Sequence, residues 1–216
     1  MKILIGCETS GVVRRAFDAL GHDVWSCDLR PAEDGSNRHI VCDIRDLLCE
    51  GWDMLAVMHP PCTRLCNSGV RWLHVPPPGR TTEDMWAELR AGAALFSTCW
   101  NAPIPRIVVE NPIMHKHAKA LIDGYQNPAQ TVQPWWFGDP AFKATSFYLR
   151  GLPSLVATNR LTPPAKGTAE HDAWSAVHRA TGWRPDRWKT RSRSFQGIAD
   201  AMALQWGGAA ARAVAA

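Results

Sequence analysis

One cysteine in the chain stands where a nucleophile would be useful. In His59-Pro60-Pro61-Cys62 two prolines hold the backbone extended, directly after the apolar run 54–58. A strand that stops there presents the Cys62 thiol on a stiff loop at the mouth of a sheet, and a thiolate in that place can attack an electrophilic carbon. A lone cysteine is most often a small buried hydrophobe, but two preceding prolines at a strand end argue against burial. Zinc is the rival use of this neighbourhood, with His59, Cys62, Cys66 and His74 as ligands. Their spacing lacks the paired cysteine and histidine pattern of zinc sites, and no second cysteine pair completes it, so no metal is expected.

Glu110 is the second reactive candidate. It ends the apolar stretch Ile107-Val108-Val109 and precedes Asn111-Pro112, which sets a carboxyl group in poorly solvated surroundings. Desolvation favours the protonated form, so Glu110 is expected to titrate high and to donate to a ring nitrogen. A helix cap or a structural ion pair is the alternative use of the same group.

Three further features suit a bound nucleoside. Gly6-Cys7-Glu8-Thr9-Ser10-Gly11 opens a helix and is flanked by glycines, so a ligand can approach its backbone; it lacks the full G-x-G-x-x-G pattern, and an ordinary tight turn fits equally well. Asp28 follows about 20 residues later at a strand end, where a carboxylate can take both hydroxyls of a ribose. Capping a turn is its plainer role. Asp43 ends the next strand and either accepts from an adenine amine or caps a helix over 44–48.

The elements that must position these groups alternate along the chain. Apolar runs predict strands at 3–6, 23–27, 39–41, 54–58 and 107–109, with helices over 12–20 and 83–99. Two later strands are expected at 130–136 and 146–149, joined by a loop over 137–145. The stretch 152–193 reads as irregular apart from a short helix near 169–180, and 197–207 as a final helix. The pattern is that of one α/β domain spanning 1–216, with a mostly parallel sheet and helices on both faces.

Composition narrows the class. With 216 residues and 46% hydrophobic content the chain can bury one sizeable core. No apolar run approaches the roughly 18 residues of a membrane span and no signal-peptide pattern is visible, so a cytoplasmic protein is expected. Seven cysteines in an odd, scattered set point to reduced thiols. The net charge is only +4, yet Arg179, Arg184, Arg187, Lys189, Arg191 and Arg193 crowd a short stretch that suits either a polyanion or solvent. Of eleven tryptophans, Trp135, Trp136, Trp183 and Trp188 stand beside Pro, Gly or Arg and are candidates for base stacking, while core packing is expected for most.

Taken in order, these residues resemble the DNA (cytosine-5) methyltransferases, in particular the short members of phages and prophages. The resemblance rests on Pro60-Pro61-Cys62, on Glu110-Asn111-Pro112 where the family usually has Glu-Asn-Val, on Glu8-Thr9-Ser10-Gly11 in place of its Gly-rich cofactor loop, and on Gly197-Ile198-Ala199-Asp200 near its late Gly-Asn element. It spans 1–207. The family's Phe-x-Gly and a clean Gln-x-Arg-x-Arg are missing, and the target-recognition region, about 113–193, is small.

The resemblance implies a Rossmann-like, S-adenosylmethionine-dependent enzyme in which Cys62 adds to carbon 6 of cytosine, Glu110 holds the ring-nitrogen edge, and carbon 5 takes the methyl group. It implies a cofactor held by Glu8, Thr9, Ser10, Gly11, Asp28, Asp43, Pro60, Gly197 and Ala199, the last two from a helix returning to the cofactor side. Asn111, with Lys143 or Arg191 and Arg193 as the replacement cation, would touch the substrate. The expected partner is duplex DNA with the target base flipped out, contacted by 174–193, Trp135 and Trp136. A monomer acting in a bacterium or a phage-infected cell completes the expectation. Two other readings stay open: the same chemistry on single-stranded DNA, RNA or a free nucleotide, and a nucleic-acid-binding relative without turnover.

Overall fold

The computed structural model describes residues 1–176 and 193–208. Four strands, β1 (Lys2–Gly6), β2 (Asp23–Asp28), β4 (Met54–Val57) and β5 (Arg106–Glu110), pair in parallel, with the short β3 (His39–Val41) on the edge beside β2. The sheet order is β3-β2-β1-β4-β5-β7-β6, where β6 is Gln130–Val132 and β7 is Thr145–Arg150. The chain moves outward from β1 to β3 and then returns to the other side of β1 with β4. The reversal opens a crevice at the carboxyl ends of β1 and β4, where open α/β sheets take their ligands.

Strand β7 runs against its neighbours on both sides, pairing Glu110 with Phe147 and Val132 with Thr145. Only a reversed strand can begin at the mouth of a parallel sheet. Its start therefore brings the preceding residues, Lys143 among them, to the carboxyl end of β5.

Alternation along the central strands feeds two cores. Leu55, Val57, Ile107 and Val109 face α2 (Thr82–Trp100) and α3 (Lys116–Leu121), while Met54, Ala56 and Val108 face α1 (Val12–Asp18) and α5 (Gln196–Gly207). A short α4 (Ala169–Trp174) docks through Trp174 onto Phe142. Helix α2 starts in a reciprocal capping box between Thr81 and Asp84. No helix among the described residues is long and apolar enough to cross a membrane.

Most departures from the expected elements have local causes. The strand expected over 130–136 stops at Val132 because Pro134 cannot continue a ladder, and Pro134–Trp136 makes a 3-10 turn instead. A further 3-10 turn, Asn67–Leu73, and α3 were not anticipated, because neither carries a long apolar period. The helix expected over 169–180 is seen at Ala169–Trp174, and the rest of that expectation reaches outside the described residues.

Gly197 shows how tightly α5 is seated: a Cβ there would run into the Phe137 carbonyl oxygen and lie 2.9 Å from an Asp139 carboxylate oxygen. Gly197→Ala is expected to lower stability by about 1–3 kcal/mol through overpacking against backbone, read as a fall in the urea midpoint. An unchanged midpoint would contradict this seating of α5.

Candidate functional site

The Cys62 loop leaves β4 at Met58, whose N–H still bonds the Gly6 carbonyl, and passes through His59 and the buried Pro60 to Cys62. The Cys62 carbonyl then accepts from the N–H groups of Leu65 and Cys66, so the thiol stands at the start of a helical turn. Helix α2 supports this turn from below. Gly92 lets the Pro61 carbonyl approach to 3.3 Å of where a Cβ would stand, and Glu88 pairs with Arg64 at 2.7 Å.

The Glu110 loop is stitched to the same turn. Cys66 and Met114 form an antiparallel bridge, and the His115 N–H donates to the Leu65 carbonyl. The His115 ring bonds the Arg64 carbonyl through Nε2 at 2.7 Å and accepts from the Ala118 N–H at Nδ1. Its two ring nitrogens are thus used in a neutral tautomer, and burial holds its pKa below the ordinary value.

Four titratable groups meet at the mouth. His59 Nδ1 lies 3.9 Å from Glu110 Oε2, and both side chains are largely buried. Burial pushes the Glu110 carboxyl up to about 7, against the opposing charge of Lys143. Burial also pushes the Cys62 thiol up to about 11, helped by the charges of Glu110 and Cys66 and opposed by Lys143. The same burial, with Lys143, holds His59 at about 3, so its imidazole is neutral. Lys143 is fixed by its own backbone, whose N–H donates to the Gln133 side chain and whose carbonyl accepts from Thr145. Its Nζ lies 5.9 Å from the Phe195 ring, which brings in the start of α5.

Asn111 is fully buried, and among the described residues neither its amide nitrogen nor its amide oxygen has a hydrogen-bond partner. Each such orphan costs about 1–3 kcal/mol, an arrangement more often kept at a site than in ordinary core.

The first loop is more self-contained than expected. The Glu8 carboxylate accepts from the Val13 and Arg14 N–H groups and from the Ser10 hydroxyl, so it caps α1 instead of facing a ligand. Thr9 donates to Glu33, and Arg14 and Arg15 both pair with Asp34, so residues 33–34 strap the loop down. Gly11 has a left-handed backbone (φ 66°) with these charged groups packed where a Cβ would go. Cys7 (φ 54°) is the one non-glycine residue with positive φ among those described, a local strain at the point where β1 ends.

The remaining candidates divide. Asp28 stands half-exposed at the end of β2, and one of its oxygens accepts from the Arg30 N–H. Asp43 takes the capping role: it accepts from the Arg45 N–H and holds the Arg45 guanidinium with both oxygens. Ala199 is fully buried in the α1–α5 core and the Gly197 N–H donates to Asp139, so packing accounts for both in place of the expected cofactor contact. Arg193 is exposed, and Arg191 lies outside the described residues together with Trp183, Trp188 and most of the basic cluster. Trp174 is buried against Phe142, which removes it from the expected nucleic-acid face. Trp135 and Trp136 are half-buried, with the Arg160 guanidinium over both rings.

His59 and Ser194 were not foreseen as partners, although the contact of the histidine beside the two prolines with a serine next to Arg193 closes the site. Among the described residues no three histidine, cysteine or acidic side chains are grouped to hold a metal, and all seven cysteines are free. No protein-family model and no curated protein matches the chain.

Two outcomes follow from these environments. A carboxyl raised from 4.5 to about 7 on folding favours the fold fully at low pH, and that contribution fades as pH rises through about 7. Glu110→Gln should therefore gain on wild type between those limits, by about 3 kcal/mol at most, in urea denaturation at pH 4.5 and pH 8. A pH-independent difference would refute the buried acid. Iodoacetamide should alkylate Cys62 at a rate still climbing at pH 9, and Lys143→Met should slow it by raising the thiol further. A rate that levels off near neutral pH would contradict this environment.

Proposed function

We propose that the chain is a Rossmann-like, S-adenosylmethionine-dependent DNA (cytosine-5) methyltransferase whose nucleophile is Cys62. The observation that carries the reading is the placement of Cys62 and Glu110 at the carboxyl ends of the neighbouring β4 and β5, with Lys143 at the approach to β7 beside them and the acid close to half-protonated at neutral pH.

A protonated Glu110 can donate to the ring nitrogen of a cytosine and draw electrons away from carbon 6, where the Cys62 sulfur adds as its thiol proton passes to water. Neutralising Glu110 also removes a charge that opposes the thiolate, so the two steps favour one another. Lys143 stabilises negative charge at both groups and stands as the cation in place of the missing arginine element. The buried Asn111 amide offers a donor and an acceptor to the substrate beside the acid.

The protein's own residues suit a cofactor without phosphates. Glu8 already fills the N-terminus of α1, where a dinucleotide would place its pyrophosphate, and β7 departs from the 3-2-1-4-5-6 strand order of dinucleotide-binding sheets. Asp28, with an oxygen not spent on Arg30, would hold the ribose at the end of β2. The cofactor, when bound, supplies the activated methyl group that carbon 5 takes; the carbon 5 proton is then lost to water and the Cys62 thiolate leaves carbon 6. Duplex DNA with a flipped base is the proposed substrate, met by Arg193 and the basic stretch before it, in the cytoplasm of a bacterium or an infected cell.

The test is transfer of label from methyl-labelled S-adenosylmethionine to duplex DNA, single-stranded DNA and dCMP, followed by nucleoside analysis. The expected product is 5-methylcytosine in duplex DNA, abolished by Cys62→Ser and slowed about 100-fold or more by Glu110→Gln. Equal labelling by wild type and Cys62→Ser would remove Cys62 from the chemistry.

A further inference from the structure

The roles above leave His59 without one, although its ring lies inside the site. Its Nε2 is 3.1 Å from the Ser194 hydroxyl oxygen, and its Nδ1 faces Glu110 Oε2 at 3.9 Å. We propose that His59 is a positioning residue: its Nε2–H donates to Ser194, which leaves Nδ1 as an acceptor that holds the proton of the Glu110 acid.

A neutral imidazole has one donor and one acceptor, and which nitrogen carries the proton is set by the partner of the other. Burial keeps His59 neutral, so the two tautomers are the states that matter. With the proton on Nε2, a lone pair meets Glu110; it repels a carboxylate and accepts from a carboxylic acid. With the proton on Nδ1, the ionised form of Glu110 is favoured instead. A hydroxyl accepts or donates by rotating, so Ser194 admits either tautomer, and the dry surroundings of Glu110 select the one that suits a neutral acid.

The other groups facing Glu110 are Cys62 from the same loop, Lys143 from the approach to β7 and Tyr148 on β7. Lys143 is the one that pulls toward ionisation, and His59 opposes it. The separation of 3.9 Å exceeds a hydrogen bond by about 1 Å, a gap closed by a small side-chain rotation or one bridging water. Use of this proton on a cytosine ring nitrogen rests on the proposed function; its location does not.

The experiment is NMR on the full chain without cofactor or DNA. Histidine ¹⁵N shifts should show Nε2 of His59 protonated and Nδ1 bare at neutral pH. The ¹³C-carboxyl titration of Glu110, assigned with Glu110→Gln, should fall by about one pH unit in Ser194→Ala and stay at the wild-type midpoint in Ser194→Thr. A proton on Nδ1 in the wild type, an unchanged midpoint in Ser194→Ala, or equal shifts in both serine variants would each overturn the proposal. Because no turnover is measured, absence of methyl transfer leaves this result standing, and a failed titration leaves the Cys62 chemistry standing.

Discussion

The Glu110 carboxyl lies at the end of three fully buried aliphatic residues, and the rest of the site follows from the penalty on its charge. A carboxylate in those surroundings would need a close cation or several hydrogen bonds, and the protein supplies neither in full. Lys143 moderates the penalty without cancelling it, so the acid titrates near neutrality. The same dry pocket keeps His59 neutral and Cys62 protonated. His59 and Cys62 are thus held in uncharged forms, and Glu110 is about half-protonated at neutral pH, by one cause, next to a cation that can receive negative charge when it appears.

The first loop buries a second acid with more partners. There burial also raises the Glu8 carboxyl above its ordinary value, but two backbone N–H groups, a serine hydroxyl and the charge of Arg14 oppose the shift, and the positive end of α1 faces it. The arrangement satisfies a helix terminus that many nucleotide-binding folds leave for a phosphate. One buried acid therefore builds the scaffold, while the other keeps fewer partners beside Cys62.

Much of this was legible in the residues. Pro60-Pro61 announced the strand stop, and the aliphatic run into Glu110 announced a desolvated acid, because both effects are local to a few residues; the burial that raises the Cys62 thiol runs against the exposed sulfur that the two prolines suggest, because it comes from elements packed over the loop. The parallel order of β1 to β5 followed from alternation of strands and helices. The reversal of β7 did not, since strand direction is decided by what pairs with it, and only pairing with β5 explains why Lys143 reaches the mouth. Asp43 and Glu8 were ambiguous for a related reason: a carboxylate at a strand end reads alike whether it awaits a ligand or caps the next turn. The Ser194 contact joins residues far apart in the chain, and no local pattern encodes it.

The bridge between Cys66 and Met114, with the hydrogen bonds of His115, makes the two reactive loops one mechanical unit. A displacement of either loop is transmitted to the other through these backbone contacts and through the His115 ring. Substitutions near Leu65 and near Met114 are therefore coupled in their effects, and tolerated changes must arise in matched pairs across the two segments. Sequence drift in such a protein would leave its record as covariation between these loops.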